Sequence, residues 1–280
     1  MRPPILVFAK WAPRRLDVEP LTGHARADRH DYGLSPADAA ALETGLTLAT
    51  RWGGEVTVCT VGPPEADEVL RVGLAAGATD AIRVEHEFGV RSEVAAAELA
   101  RVAQSHELVL CGDASADRGS ATVPGLVAAH LGWAQALGAL AVETAAEPDE
   151  GRVVIVHRRL DRGAREVLRL DGPVVVSVEA TVARLRRAAL GGVLGAADHP
   201  VRVLAPQPLL PPARTHVGET RPHRPRPRPV PAPDPAASPL ARQLQLTAAA
   251  EERTPPRTLR LEPADAARAI VDQLREWGYV

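Results

Sequence analysis

The chain has 280 residues, of which 45% are hydrophobic but only 3% are aromatic, so its core has to be built mainly from Val, Leu and Ala. A formal net charge of −2 argues against a nucleic-acid-binding surface. No apolar run approaches the roughly 18 residues of a membrane span, and the early run "ILVFA" is too short for a signal peptide, so we expect no direct membrane insertion.

Four short runs in the first half of the chain are apolar almost throughout, a pattern typical of strands buried on both faces of a parallel sheet. They are "ILVF" (Ile5–Phe8), "VTVCTV" (Val56–Val61), "AIRVE" (Ala81–Glu85) and "ELVLC" (Glu107–Cys111). Cys59 and Cys111 lie inside two of these runs. We therefore expect buried free thiols and a reducing, cytoplasmic location rather than a disulfide.

Helical patterns separate these apolar runs. "SPAD" opens the first helix, with Ser35 as the N-cap, Pro36 in the first turn and Asp38 near the positive end of the helix dipole. A second helix is expected to end at Gly77. A third presents one apolar face, formed by Ala95, Leu99 and Val102. The alternation predicts an α/β fold with a doubly wound, mostly parallel sheet.

The pattern changes after Glu143. Two apolar runs, Val153–Asp161 and Ala164–Asp171, flank Arg162 and Gly163 and predict a hairpin, which a further strand within 172–179 follows. A proline- and arginine-rich segment then predicts an extended linker, and the chain ends in a helix with an apolar stripe. We expect a nucleotide-binding domain at 1–204, a linker at 205–243 and, at 244–280, an arm and helix that dock on the domain or on a partner subunit.

The stretch "CGDASADRGSATVPGLVAAHLGW" (Cys111–Trp133) turns small and polar before it becomes helical. In open α/β sheets, ligands bind beyond the carboxyl ends of the strands, near the point where the strand order switches. Gly112 and Gly119 allow sharp turns, and the hydroxyls of Ser120 and Thr122 lie at a helix start that favours a phosphate. Two acids of the same loop are placed to accept from a ribose hydroxyl or an adenine amino group, Asp113 and Asp117. The residues alone leave two interpretations open: a nucleotide-binding loop, or a plain loop with a Ser or Thr N-cap.

Signatures of the common enzyme classes are absent from the sequence, including the Walker loop, the G-x-S-x-G elbow, H-E-x-x-H and C-x-x-C. The histidines are scattered, and His86 beside Glu87 is interpreted as a surface pair. We therefore expect no metal site and no nucleophilic catalysis.

Five segments, in this order, resemble those of the β subunits of electron transfer flavoproteins, and the resemblance extends over nearly the whole chain. The segments are "VFAKW" (Val7–Trp11), "GLSPA" (Gly33–Ala37), "TVGPPEADEVLRVGLAAGATD" (Thr60–Asp80), "ELVLCGDASADRGSATVPGLVAAHLGWAQ" (Glu107–Gln135) and "RRLDRGAREVLRLDGPVVVSVE" (Arg158–Glu179). No single motif is decisive, but their order and spacing match the family.

The resemblance implies an adenine-nucleotide-binding, Rossmann-like domain that forms a heterodimer with an α subunit. FAD, held mainly by the α subunit, would carry electrons from a dehydrogenase to a respiratory acceptor, and the β subunit would hold AMP or a second FAD and have no catalytic residues of its own. Carried over position by position, the implied nucleotide contacts are Phe8, Ser35, Pro36, Ala37, Asp38, Val61, Asp117, Arg118, Gly119, Ser120, Ala121, Thr122 and Gly125.

The sequence also departs from the family pattern. The family's "D-D-D-x-N-Q-T-G" is "DRGSATVPG" here (Asp117–Gly125), where Arg118 is placed to face a second phosphate and thus favours a dinucleotide. The leucine that docks on dehydrogenases in this family corresponds to Leu190, without the usual flanking lysines. Two other function classes stay open: an electron-bifurcating β subunit with a redox-active FAD, and an adenine-nucleotide-binding regulatory module without electron transfer.

Overall fold

The computed structural model describes residues 4–19, 22, 24–144, 153–208, 232–247 and 258–278. The chain divides into two units, Met1–His223 and Arg224–Val280. The described strands all belong to the first unit, which includes the range 1–204 where the sequence predicts a nucleotide-binding domain.

Strands occupy much of the first unit. In chain order they are β1 (Pro4–Phe8), β2 (Ala12–Pro13), β3 (Asp17–Val18), β4 (Ala25–Arg26), β5 (Tyr32–Gly33), β6 (Glu55–Gly62), β7 (Asp80–Glu85), β8 (Leu108–Gly112), β9 (Ala134–Thr144), β10 (Val154–Arg159), β11 (Arg165–Leu170), β12 (Val174–Val178) and β13 (Arg202–Leu204). Nine of them form one sheet in the order β11-β10-β9-β12-β8-β1-β6-β7-β13. Neighbours from β9 to β13 are parallel, while β9, β10 and β11 pair antiparallel. The predicted mostly parallel sheet is confirmed.

The described helices belong to both units, the last two of them to the second unit. They are α1 (Pro36–Trp52), α2 (Asp67–Ala76), α3 (Ser92–Ala103), α4 (Val123–Leu131), α5 (Leu190–Asp198), α6 (Pro239–Thr247) and α7 (Pro263–Glu276). The predicted boundaries of the first two are confirmed by their caps: the Ser35 hydroxyl accepts from the Asp38 N–H, and Gly77 ends α2 with a φ of 121°.

The central strands are apolar on both faces because a core lies on each side of the sheet. Along β1, Ile5 and Val7 belong to one core, with residues of α1 and α2, and Leu6 and Phe8 belong to the other, with residues of α3 and α4. This division explains why the apolar runs show no alternation in the sequence.

The strand order reverses at β1. From β1 the chain moves outward through β6 to β7, then returns to place β8 on the other side of β1. Loops that leave the carboxyl ends of β1 and β8 therefore diverge and leave a crevice between them. This crevice is where the sequence predicts a ligand.

The structure differs from the sequence-based expectation in two places. The long strand β9 was not predicted, because "AQALGALAVET" is rich in Ala and Gly, which have low strand propensity. It forms because β12 and β10 pair with its two edges. Helix α6 begins at Pro239, inside the range 205–243 predicted to be extended, where the Ser238 hydroxyl accepts from the Ala241 N–H at 3.3 Å. The most arginine-rich part of that range lies outside the described residues.

Candidate nucleotide-binding site

A cavity of about 130 Å³ lies at the carboxyl ends of the central strands. Its floor includes Phe8 at the end of β1, Cys59 and Val61 of β6, and Cys111 of β8. Both thiols are free and buried, and burial raises the pKa of Cys59 to about 12 and that of Cys111 further still, so both stay protonated and apolar at neutral pH. The predicted free thiols are confirmed, and they form an apolar surface for a ligand rather than a reactive one.

Asp38 joins the start of α1 to the ends of β1 and β8. Its carboxylate accepts from the Lys10 N–H at 3.2 Å and from the Gly112 N–H at 3.0 Å. Burial raises the pKa of Asp38 to about 6, although these two N–H groups and the Ser35 cap partly offset the effect of burial. A Cβ on Gly112 would lie 2.7 Å from the Asp38 Oδ1 atom, so only glycine allows this close approach. Asp38 therefore fixes the strand ends and also lines the cavity.

The loop after β8, residues 113–122, carries the predicted phosphate-binding residues. Gly119 and Ala121 have φ values of 60° and 55°, and the hydroxyls of Ser120 and Thr122 lie 3.1 Å apart. No side chain caps the first turn of α4, and Thr122 at its N-cap has helical rather than extended backbone angles. Thr122 therefore occupies the N-cap position without capping α4 through its side chain. The helix start carries N–H groups and a positive dipole end that no side chain of its own satisfies.

Lys10 and Asp117 form an ion pair beside this loop. The Lys10 Nζ atom lies 2.7 Å from both Asp117 carboxylate oxygens and 3.3 Å from the Ser115 hydroxyl. Partial burial alone would raise the pKa of Asp117, but the bonds from Lys10 and Ser115 outweigh it and hold that pKa below its usual value. Sequence reasoning did not find this pair, because the two residues are 107 positions apart and only the fold brings them together.

A second loop, Phe88–Gly89–Val90, also lines the cavity although the sequence did not predict it. It follows β7 and lies under Arg118, whose guanidinium donates to the Val90 carbonyl at 3.0 Å and to the Gly89 carbonyl. Phe88 belongs to a group of three aromatic rings with Trp11 and Tyr32. The Trp11 and Tyr32 rings stack at 4.4 Å, and Phe88 meets them edge-on at 5.8 and 5.4 Å.

The implied contact residues divide into two groups. Those that line the cavity are Phe8, Asp38, Val61, Arg118, Ser120, Ala121 and Thr122. The others lie outside its lining and include Ser35, which caps α1, and Asp117, which pairs with Lys10; the remaining members are Pro36, Ala37, Gly119 and Gly125. The role of each residue as a nucleotide contact stays a prediction.

Leu190 is the first residue of α5, and 74% of it is exposed. Leu194, one turn further on, lies on the same side of α5 and is 61% exposed, whereas Val193, 48% exposed, lines a cavity with Val72 and Ala75 of α2.

The sequence suggested that His86 forms a surface pair with Glu87, but the structure places His86 beside a different carboxylate. Its Nε2 atom lies 3.6 Å from a carboxylate oxygen of Glu98, which is fully buried and is also bonded to Arg101. Glu98 lies on the inner side of α3. The residues next to His86 in the sequence do not indicate its contact with Glu98. In the part of the chain that the structure describes, no group of three or more His, Cys, Asp or Glu residues is arranged to hold a metal ion.

None of the described helices is long and apolar enough to cross a membrane.

Comparison with known proteins gives consistent matches. The family model "Electron transfer flavoprotein domain" matches residues 25–209. An electron transfer flavoprotein β subunit of Bradyrhizobium diazoefficiens is 34% identical over 173 residues, which cover 60% of this chain and 66% of that relative. The caffeyl-CoA reductase–Etf complex subunit CarD of Acetobacterium woodii is 31% identical, covering 71% of this chain and 77% of its own length. Protein FixA of Azorhizobium caulinodans is 30% identical, covering 69% and 72%.

Proposed function

Because the chain belongs to the electron transfer flavoprotein family, with β subunits among its relatives, we propose that it is the β subunit of a heterodimer with an electron transfer flavoprotein α subunit. FAD held mainly by the α subunit accepts electrons from a dehydrogenase and releases them to a respiratory acceptor. In this proposal the β chain binds a nucleotide and docks partners in the cytoplasm but supplies no catalytic residue.

The start of α4 is the observation that supports a nucleotide in the β chain. This nine-residue helix begins beside the cavity at the switch in strand order, and no side chain caps its first turn. A phosphate there would accept from the free N–H groups and interact favourably with the helix dipole. The apolar floor and the hydroxyls of Ser120 and Thr122 fit the base and the phosphate of AMP.

A second FAD in place of AMP is the alternative, and the aromatic group at the cavity favours it. Trp11 and Phe88 both line the cavity, so a second ring system would find aromatic faces and edges beside it. Co-expression with the α subunit, followed by extraction of the cofactors, separates the candidates. One FAD and one AMP per heterodimer support the carrier, and two FAD support the bifurcating form. A chain that copurifies with no flavin-containing partner contradicts both and supports the regulatory module.

Thr122 offers a direct test of the nucleotide site. Thr122→Asp places a negative charge at an exposed position at the start of α4, so the protein should fold while the charge repels a phosphate. Thr122→Asn has nearly the same shape without the charge and is the matched control. We expect the aspartate variant to lose AMP affinity by about tenfold or more relative to the asparagine variant, measured by calorimetry. Equal affinities would contradict the assignment of the phosphate to this helix.

Leu190 is proposed as the docking residue for the dehydrogenase because it is the most exposed of the three apolar side chains on α5. Leu190→Ala should slow electron transfer from the dehydrogenase and leave the flavin content of the heterodimer unchanged. An unaltered rate would show that docking uses another surface.

A further inference from the structure

Arg118 joins two loops that begin on strands far apart in the sheet. It lies on the loop that follows β8, and its guanidinium donates to the Gly89 and Val90 carbonyls of the loop that follows β7. In the sheet, β1 and β6 lie between β8 and β7. The side chain therefore bridges the carboxyl ends of β1 and β6, which form the floor of the cavity.

The loop that Arg118 holds has few other anchors. Phe88 is 45% exposed and meets Trp11 and Tyr32 only edge-on, and Gly89 has a φ of 82°, a conformation that glycine adopts readily. An ideal Cβ on Gly89 would lie 3.7 Å from the Arg118 Nη2 atom, so the guanidinium packs directly on this backbone. A planar guanidinium satisfies two adjacent carbonyls, which a single ammonium group cannot match in geometry.

The cavity is also small. At about 130 Å³ it lies below the roughly 300–1,000 Å³ typical of pockets for drug-sized ligands, so a nucleotide bound there would contact its walls closely. The Phe88–Gly89–Val90 loop and the 113–122 loop both contribute to these walls, and the Arg118 bonds hold them together.

From this geometry we infer that Arg118 is a positioning residue, which holds the Phe88–Gly89–Val90 loop across the nucleotide site and so retains the bound nucleotide. The inference rests on the proposed nucleotide site and departs from the sequence-based interpretation, in which Arg118 faces a phosphate. A loop held across the site in this way slows the release of the whole ligand, whereas a phosphate contact stabilises only its charged end.

The two roles are distinguished by the release rates of AMP and of adenosine, which lacks the phosphate. The full chain, as it purifies with its partner, is loaded with labelled ligand and diluted into excess unlabelled ligand, for the wild type, Arg118→Lys and Arg118→Gln. Neither variant reproduces the two-carbonyl geometry, so we expect release of both ligands to become about fivefold to tenfold faster in both variants. A Phe88→Ala variant should accelerate release similarly, and adding it to Arg118→Lys should give little further change.

If Arg118 instead contacts a phosphate, a different pattern of release rates is expected, and that pattern would overturn the positioning role. Arg118→Lys would then release AMP at the wild-type rate, and Arg118→Gln would accelerate AMP but not adenosine. Unchanged rates for AMP and adenosine in all variants would also overturn it. If the wild-type chain binds neither ligand, the proposed nucleotide site is wrong, and the role of Arg118 is wrong with it. This outcome differs from one in which the ligands bind and their release rates are unaltered.

Discussion

Helices α1 and α5 are built in opposite ways. α1 is capped by Ser35 at its start and by Gly53, with a φ of 62°, at its end, and most of its apolar residues are buried. α5 has no side-chain cap, and Ala196 is its only buried residue, while Leu190, Val193 and Leu194 are exposed. The sequence of α1 specifies the helix and its position together. That of α5 leaves an apolar surface facing outward.

The contacts of α5 explain how such a surface persists. The Arg71 guanidinium donates to the backbone carbonyls of Ala196 and His199, which holds the C-terminal end of the helix. Near its start, Gly192 approaches α2 so closely that a Cβ would lie 2.6 Å from the Ala75 carbonyl oxygen. These two contacts hold α5 through its backbone, while Leu190 and Leu194 remain 74% and 61% exposed.

The largest change in the free energy of unfolding is expected from Asp38, in the first turn of α1. Because its pKa is raised from 3.8 to about 6 in the folded chain, the folded state binds more protons than the unfolded state between these values, and the free energy of unfolding falls as the pH rises through this window. The contribution of Asp38 should amount to up to about 3 kcal/mol between pH 4 and pH 7. Asp38→Asn should remove it, as urea titrations of both proteins across this range can measure. Parallel pH profiles for the two proteins would contradict the assignment.

An intermediate change in the free energy of unfolding is expected from Gly192, in α5. Gly192→Ala should push α5 away from Ala75 and lower the free energy of unfolding by about 2 kcal/mol, measured by chemical denaturation. Gly191 is the matched control, because a Cβ there meets nothing within 4 Å. Gly191→Ala should stabilise the helix by up to about 1 kcal/mol. If both substitutions act alike, α5 is not held by the Gly192 approach.

The smallest effect is expected from Leu190. Since it is 74% exposed, Leu190→Ala should change the free energy of unfolding by less than about 0.5 kcal/mol, measured by thermal or urea denaturation. Combined with slower electron transfer, this result would separate a binding surface from a folding surface. A substantial loss of stability would instead show that Leu190 packs against the protein itself.

Local patterns predicted much of the fold. The continuous apolar runs of β1, β6, β7 and β8 indicated strands buried on both faces, and the "SPAD" sequence located the start of α1 at Ser35. Strand β9 escaped prediction because its stability comes from its neighbours on both sides rather than from its own residues.

The candidate site was predictable only in part. Gly119, Ser120 and Thr122 could be assigned to a strand-to-helix loop because that chemistry is local in sequence. The Lys10–Asp117 pair and the Arg118 contact with Gly89 depend on loops that approach only after the sheet has formed. Sequence spacing carries no information about such contacts, so the cavity wall formed by Phe88 was not predicted.

The Lys10–Asp117 pair also makes the chain suited to chemical labelling. Lys10 is the only lysine in the sequence, so an amine-selective reagent has a single side-chain target, and that target lies at the cavity. The amine donates to Asp117 and Ser115, so it reacts only when it leaves them. The rate of acylation at this one position would therefore report how often the bonds between Lys10 and the 113–122 loop open.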